Sequence, residues 1–281
     1  MKYKMIITDV DGTIGNDRFE ISDENKEAMQ KAMNAGIKVV LCSGRTPQSL
    51  HDYEKQIGIN KEGQYGIGFN GAFVYDAFTQ EKLFEDGITQ ETARRLIDIL
   101  DETKEQALLA LYIDSKTMIA QHGLEDILAM YNNNNRVSIT YVEKITEEMI
   151  TQDILNLYCI HDRPTLLKLH EELKEQDLGE CTLAFTQENL LEFMPPSMHK
   201  AQGIKKLCNH LNIKLSDVVT VGDNYNDIEM IEEAGIGIAV ANAVGDLKEK
   251  ANYITQRDNN NHAMVEVVDY VLELNKRSLA E

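Results

Sequence analysis

Three short apolar runs constrain the fold of this chain more than any other feature of its sequence. Residues 5–7, 37–42 and 218–221 are rich in β-branched side chains, and each run ends abruptly in small and polar residues. Near-continuous apolar runs of this length are typical of strands that are buried on both faces of a parallel sheet. The runs therefore predict that the chain contains such a sheet.

Helical patterns alternate with these runs. Residues 23–35 carry apolar side chains at helical spacing, with Ser22 as the predicted N-cap and Gly36 as the stop. Thr46 and Pro47 begin the next predicted helix, with proline at its first position. This alternation predicts an α/β fold with a doubly wound, Rossmann-like parallel sheet. Ligands bind outside the carboxyl ends of such strands, so we expect the three polar clusters to converge there.

The middle of the chain has a different pattern. Between residues 85 and 191, a helical stretch followed by paired strand-like stretches occurs twice, and residues 132–135 are predicted to form a polar loop. This pattern predicts a separate α+β lobe that is inserted into the sheet domain. A double proline at residues 195–196 marks the predicted return. We therefore predict one domain from residues 1–84 and 192–281, and an inserted domain from residues 85–191.

The charge balance narrows the classes of partner. The chain has 47 acidic residues against 28 Lys and Arg, which gives a net charge of −19. A surface this acidic repels phosphate backbones and anionic lipids, so we expect no nucleic-acid and no membrane partner. The first apolar run is too short for a signal-peptide core, and no segment approaches membrane-spanning length. The four cysteines form no CxxC pair and are predicted to be free thiols in a reducing, cytoplasmic environment.

Two carboxylates follow the first apolar run. Because side chains alternate along a strand, Asp9 and Asp11 are predicted to point the same way, and Gly12 permits a tight turn with free N–H groups. Such a pair can bind a hard cation, or one acid can attack an electrophile while the other transfers a proton. Taken alone, an Asp-x-Asp-Gly segment is more often a turn with solvated acids.

Two further segments offer groups that could bind a phosphate. Ser43 and Gly44 follow the second run and provide a hydroxyl and a backbone N–H near a helix start. By themselves they are more often an ordinary loop, in which Arg45 could pair with a surface acid. Lys200 opens a predicted helix, where the helix dipole disfavours a cation unless an anion is nearby. Most lysines, however, are simply solvated.

The segment from Gly222 to Asp227 is the richest in polar side chains. Asp223 lies at the end of the third run and Asp227 follows one helical turn later, so both can share a face. An ordinary helix cap needs one acid, whereas this segment also contains Asn224 and Asn226. We therefore interpret it as a functional segment.

Taken in order, these segments resemble the haloacid dehalogenase (HAD) superfamily. The matching motifs are Asp-x-Asp-Gly-Thr, Ser-Gly-Arg, a helix-opening lysine and Gly-Asp-Asn-x-Asn-Asp. The inserted lobe resembles the type IIB cap of the Cof-type sugar phosphatases, and the resemblance covers nearly the whole chain. It implies a catalytic core with a cap, a Mg²⁺ cofactor, and hydrolysis of small phosphorylated metabolites through an aspartyl-phosphate. Sugar phosphates are the expected substrate class.

The resemblance also implies a role for each matching residue. Asp9 matches the nucleophile, and Asp11 matches the general acid/base, whose backbone carbonyl also reaches the metal. Asp223 matches the third protein contact to Mg²⁺. Thr13 and Asp227 are expected to support the site. The groups expected to hold the phosphoryl group are Asp11, Gly12, Ser43, Gly44, Lys200 and Asn226.

No departure from the family pattern falls on a catalytic side chain, and other functions stay open. Ala201 follows the motif lysine where glycine is common, Ala241 replaces the glycine of a Gly-Asn-Ala segment, and residues 258–262 lack a common glycine. A phosphomutase, which returns the phosphoryl group to a sugar hydroxyl, would share the same motifs. A non-catalytic phospho-acceptor switch or metabolite sensor is the third possibility, although the chain is longer than a single receiver domain.

Overall fold

The computed structural model describes residues 2–129, 136–196 and 198–278, with the side chain of Thr186 left aside. The chain divides into two compact units, the first made of Met1–Glu85 with His199–Glu281 and the second of Asp86–Met198. The second unit therefore extends beyond the predicted boundary at residue 191. The polar loop predicted at residues 132–135 lies outside the described residues.

The first unit contains an eight-stranded sheet in the order β14-β13-β12-β1-β2-β3-β4-β5. Its strands are β1 (Met5–Thr8), β2 (Lys38–Cys42), β3 (Tyr65–Gly68), β4 (Phe73–Asp76), β5 (Lys82–Glu85), β12 (Val218–Gly222), β13 (Ile236–Ala239) and β14 (Tyr253–Ile254). Pairing is parallel from β14 to β3 and antiparallel across β3, β4 and β5. All residues of β1 and β12 are buried, which matches the apolar runs that predicted them.

The helices of this unit begin and end where local chemistry predicts. They are α1 (Asp23–Asn34), α2 (Pro47–Ile57), α5 (Lys200–Leu211), α6 (Ile228–Glu233), α7 (Gly245–Lys250) and α8 (Ala263–Arg277). The side chains of Ser22 and Thr46 accept hydrogen bonds from N–H groups in the first turns of α1 and α2. Helix α1 packs with α2 and α8, whereas α6 packs with α5 and α7. Two separate helical groups are typical of a sheet that is covered on both faces.

The second unit is an α+β lobe with a six-stranded sheet in the order β10-β11-β9-β6-β7-β8. Its elements are α3 (Gln90–Glu102), β6 (Leu108–Tyr112), β7 (Thr117–Gln121), β8 (Ser138–Val142), β9 (Asn156–Ile160), α4 (Arg163–Leu173), β10 (Thr182–Gln187) and β11 (Leu190–Met194). Leucines of α3 and α4 pack with Leu111, Leu157 and Phe193 in one apolar cluster. Strand β11 pairs with β9 and β10 along its length, so a boundary at residue 191 would cut a strand of this sheet.

Candidate active site

The carboxyl ends of β1, β2 and β12 lie side by side in the first unit, because these strands are parallel neighbours. Asp9 follows β1, Ser43 follows β2, and Asp223 follows β12. The backbone N–H of Asp9 donates to the carbonyl of Val221 at 2.9 Å, which fixes the first loop against the third. The predicted convergence of the three polar clusters is thus a property of the sheet order.

Lys200 is the cation at the centre of this edge. It is the first residue of α5, and its side chain is fully buried. The ammonium Nζ donates to Oδ1 of Asp9 at 2.5 Å and to Oδ1 of Asp227 at 2.6 Å. A buried lysine needs such partners, because an unpaired charge inside a protein is very costly. The expected anion beside this helix start is therefore supplied by the protein itself.

Thr13 and Gly12 fix the position of Asp223. The hydroxyl of Thr13 donates to Oδ1 of Asp223 at 2.7 Å. Gly12 has a φ of 81°, and a Cβ there would lie 2.5 Å from Oδ2 of Asp223. Both the left-handed backbone and the close carboxylate require glycine at this position.

Asp227 has two functions in the loop that follows β12. Its Oδ2 accepts the backbone N–H groups of Asp223 at 2.9 Å and Asn224 at 3.1 Å, in a capping box with Asn224. Its Oδ1 binds Lys200. The sequence analysis favoured a functional segment over a helix cap because of the number of acids. Asn224 and Asp227 nevertheless do form a helix cap. The same carboxylate also holds the buried cation.

The electrostatics of the site reflect three acids around one lysine. Burial raises the pKa of Asp9 well above its usual range, and Asp227 and Asp223 add to the rise although Lys200 opposes it. Burial also raises the pKa of Asp223, to about 6, although the Thr13 hydrogen bond opposes the rise. Burial lowers the pKa of Lys200, but Asp227 and Asp9 together outweigh this effect and raise it. The site therefore contains an excess of negative charge.

These acids also form an oxygen-rich cluster that suits a metal ion. One carboxylate oxygen from each of Asp9, Asp223 and Asp227 lies within 4.8 Å of the others. An all-oxygen set of this kind suits a hard divalent cation. Both oxygens of Asp227 are already bonded, whereas Oδ2 of Asp9 and Oδ2 of Asp223 have no hydrogen-bond partner among the described residues. The donor set therefore fits a cation through Asp9 and Asp223.

Asp11 contacts a different cation from Asp9. Strand β1 ends at Thr8, so strand alternation does not extend to these residues. Nε and Nη2 of Arg45 donate to the two carboxylate oxygens of Asp11 at 2.7 and 2.6 Å. The guanidinium also lies over the ring of Tyr53, with Cζ 5.1 Å from the ring centroid. Arg45 therefore pairs with a predicted catalytic acid and not with an unrelated surface acid.

The predicted phosphate-binding groups of the second and third loops meet at a residue that the sequence analysis missed. Ser43 is buried, and its backbone carbonyl accepts the N–H of Asn70 at 3.0 Å. Gly44 lies against the Asn70 carboxamide, and Asn226 donates Nδ2 to Oδ1 of Asn70 at 3.1 Å. The sequence signal was available, because Asn-Gly at residues 70–71 is a typical turn dipeptide.

Two other missed residues support the first loop. Nδ2 of Asn242 donates to the carbonyl of Gly12 at 2.7 Å, and its Oδ1 accepts the N–H of Asn259 at 3.0 Å. Nδ2 of Asn259 donates to the carbonyl of Gly15 at 3.2 Å. Both residues lie in segments where the sequence departs from the family pattern. Those segments therefore matter for the geometry of the loop that begins at Gly12.

Two predictions concern features outside the candidate site, namely the state of the cysteines and the absence of membrane-spanning segments. All four cysteines are free thiols; Cys42, Cys159 and Cys208 are buried and Cys181 is half-buried. Among the described residues, no helix combines the length and apolar character needed to cross a membrane.

Comparison with known proteins decides the family. A family model for haloacid dehalogenase-like hydrolases matches residues 6–268. The chain belongs to this family. YxeH of Bacillus subtilis is 29% identical over 268 residues, which cover 95% of this chain and 97% of YxeH. Phosphatase YwpJ of the same organism is 27% identical over 292 residues, covering 96% of this chain and 100% of YwpJ.

The fold is also found among solved structures. BT4131, a HAD subclass IIB sugar phosphatase, matches with a TM-score of 0.74 and 20% identity, covering 95% of this chain and 98% of BT4131. This likeness confirms the predicted α/β class, in which a Rossmann-like core carries a cap. The predicted enzyme class, a phosphatase among the haloacid dehalogenase-like hydrolases, is also confirmed.

Proposed function

We propose that this phosphatase hydrolyses small phosphorylated metabolites, with sugar phosphates as the expected class, through an aspartyl-phosphate on Asp9 and with Mg²⁺ as cofactor. The observation that carries the proposal is the buried ion pair between Lys200 and Asp9 beside the oxygen cluster. A carboxylate that Lys200 holds in this way has a fixed direction from which it can attack an electrophile.

Asp9 has the environment of an activated nucleophile. It is only 5% exposed, so water solvates its carboxylate poorly. A phosphate dianion that approaches it meets like-charge repulsion of about 4 kcal/mol per pair of unit charges at about 4 Å and an effective dielectric near 20. Lys200 offsets part of this repulsion and keeps the carboxylate in a fixed direction. Attack by the Asp9 carboxylate on phosphorus then forms the phosphoryl–enzyme bond as the bond to the leaving oxygen breaks.

Mg²⁺ would be held by Asp9 and Asp223, together with the backbone carbonyl of Asp11 that the resemblance implies. When bound, it supplies positive charge to the phosphoryl oxygens. Thr13 and Gly12 keep Asp223 in position for this contact. We assign Asp227 to the support of Lys200 and the β12 loop, because both of its oxygens are already bonded.

Asp11 is proposed as the group that transfers the proton. It first protonates the leaving oxygen, and it then takes a proton from the water that attacks the phosphorus, which releases phosphate and restores the Asp9 carboxylate. Both Asp11 oxygens accept hydrogen bonds from Arg45, which hold the carboxylate in one direction. Protonation of the leaving group requires the carboxylate to move away from Arg45, and its 40% side-chain exposure leaves room for that movement.

The phosphoryl oxygens are proposed to bind the hydroxyl of Ser43, the N–H groups of Gly12 and Gly44, and the ammonium of Lys200. Asn226 lies at the same edge. The substrate class is supported by BT4131, since that structural neighbour is a sugar phosphatase. The inserted lobe is proposed to act as a cap that excludes water and selects the leaving group. The acidic chain favours small phosphate esters over nucleic acids, and a cytoplasmic location is part of the proposal.

A panel of phosphate esters tests the proposal. Wild-type protein should release phosphate from small sugar phosphates with Mg²⁺ and lose this activity in EDTA. Asp9→Asn should abolish release, whereas the matched control Asp269→Asn, an exposed acid on α8, should retain it. A folded wild-type protein that releases no phosphate from any ester with Mg²⁺ would contradict the proposal. A phosphorylated isomer in the ³¹P NMR spectrum, in place of free phosphate, would instead identify a phosphomutase.

A further inference from the structure

The turn that follows β3 has an unusual backbone. Phe69, Asn70 and Gly71 have φ angles of 48°, 49° and 101°, so three successive residues lie in the left-handed region. This conformation is readily accessible to glycine, tolerated by asparagine, and a clear outlier for a bulky residue such as phenylalanine. Such residues persist only where the surrounding structure holds them, and they cluster at functional sites.

This turn is fixed by the loops of the candidate active site. The N–H of Phe69 donates to the carbonyl of Arg45 at 3.1 Å, and the N–H of Asn70 donates to the carbonyl of Ser43 at 3.0 Å. A Cβ at Gly71 would lie 2.3 Å from the carbonyl oxygen of His199, the residue that precedes Lys200. The turn is therefore in contact with both the second loop and the start of α5.

These contacts place the Asn70 side chain among the groups proposed to bind phosphate. A Cβ at Gly44 would lie 3.1 Å from Nδ2 of Asn70, so the carboxamide covers the exposed loop backbone. Oδ1 of Asn70 accepts Nδ2 of Asn226 at 3.1 Å. Because the oxygen is bonded, the nitrogen faces the other way, and its N–H groups have no acceptor among the described residues.

We propose that Asn70 is a further phosphoryl-binding residue, whose Nδ2 donates to a non-bridging oxygen of the substrate. This inference rests on the proposed phosphatase function. Asn226 then acts as a positioning residue, because its own amide N–H orients the Asn70 oxygen. The strained turn has a physical reason in this arrangement, since the left-handed backbone at residues 69–71 brings the N–H groups of Phe69 and Asn70 to the carbonyls of Arg45 and Ser43.

Two substitutions separate the amide from the backbone conformation. Asn70→Gly deletes the carboxamide but keeps access to positive φ, and Asn70→Asp keeps the shape but replaces the donor with a negative charge. Titration calorimetry with inorganic phosphate and Mg²⁺ should show 10- to 100-fold weaker binding for Asn70→Gly, which is typical of a lost hydrogen bond to a charged group. Asn70→Asp should bind at least as weakly, because it adds like-charge repulsion.

Asn226→Ala and a remote asparagine complete the design. If Asn226 acts through Asn70, adding Asn226→Ala to Asn70→Gly should cause no further loss of phosphate affinity. Asn212 has a φ of 52° at the end of α5, so Asn212→Gly is a matched change at another left-handed asparagine. Its phosphate affinity should stay within about twofold of wild type, since surface changes away from a site have small effects.

The inference is overturned if Asn70→Gly and Asn70→Asp melt like the wild type and bind phosphate with wild-type affinity, or if Asn212→Gly loses affinity equally. Failure of the proposed function gives a different result. A wild-type protein that binds phosphate through Asn70 but hydrolyses no ester would defeat the phosphatase proposal alone. An active wild type with unchanged Asn70 variants would defeat the Asn70 assignment alone.

Discussion

Asp9→Asn should make the metal-free protein more stable while it removes the proposed nucleophile. The asparagine has nearly the same shape as the aspartate, and Lys200 keeps Asp227 as a fully buried partner. The substitution therefore removes one of three clustered negative charges without leaving the lysine unpaired. Stability gained by loss of a catalytic group is the expected trade at a site where like charges are held together.

The size of this gain in stability follows from the distances between Asp9 and the charged groups around it. The cluster oxygens lie within 4.8 Å of one another, and two carboxylates at that distance repel by about 3.5 kcal/mol at an effective dielectric of about 20. Asp9 takes part in two such pairs, and its attraction to Lys200 at 2.5 Å is about 7 kcal/mol on the same scale. The repulsion from the two other acids nearly cancels the attraction to Lys200, and the partial exposure of Asp223 weakens its repulsion of Asp9. The burial cost of the Asp9 charge is left over, so we expect a gain of about 1–3 kcal/mol.

The pH dependence has a definite sign. Burial raises the pKa of Asp9 in the folded protein. The contribution of Asp9 to the free energy of unfolding is therefore fully present below its unfolded pKa and is lost as the pH rises through its folded pKa. The advantage of Asp9→Asn should therefore be larger at about pH 8 than at about pH 5. Mg²⁺ should reduce or reverse this advantage, because a ligand present at about 100 times its Kd stabilises the form that binds it by about 2.7 kcal/mol.

Urea unfolding in EDTA and in Mg²⁺ measures these differences. The control Asp269→Asn changes an exposed acid and should stay within about 0.5 kcal/mol of wild type in both buffers. The reasoning is refuted if Asp9→Asn is less stable than wild type in EDTA at about pH 8. It is also refuted if Mg²⁺ stabilises both proteins equally.

Three further predictions concern other charged groups. Lys200→Met leaves buried carboxylates without their cation and should lower the free energy of unfolding by about 3–5 kcal/mol; an unchanged urea midpoint would contradict this. Arg45→Met frees Asp11 from its two hydrogen bonds and should lower kcat about tenfold with phosphate affinity retained, whereas an equal loss of both would point to a binding role. Burial raises the pKa of Glu54, which accepts a 2.6 Å hydrogen bond from Tyr75, so stability present at low pH is lost as the pH rises through that pKa. The free energy of unfolding of Glu54→Gln, taken relative to that of wild type, should therefore be higher at about pH 8 than at about pH 4. An equal difference at both pH values would contradict the assignment.

Much of the fold was predictable because its signals are local. The caps at Ser22 and Thr46 depend on residues three positions away, and the apolar runs of β1 and β12 reflect burial of whole strands. The strand order in the sheet of the second unit was harder to predict. Strand β9 lies between β6 and β11, and β8 pairs in parallel with β7, so both depend on partners that the local pattern does not reveal. That is why the boundary at residue 191 was placed inside β11.

The amino-acid sequence by itself determined which chemical groups stand at the ends of the buried strands, because short-range periodicity and turn chemistry place those ends. Only the tertiary structure decided which group meets which. Lys200 binds Asp9 from 191 residues away, Asp11 turns to Arg45, and Asn70 joins the site from a turn that carries no acid. Local conformation depends on neighbours along the chain, whereas the partner of a buried charge depends on the order in which distant strands are laid side by side.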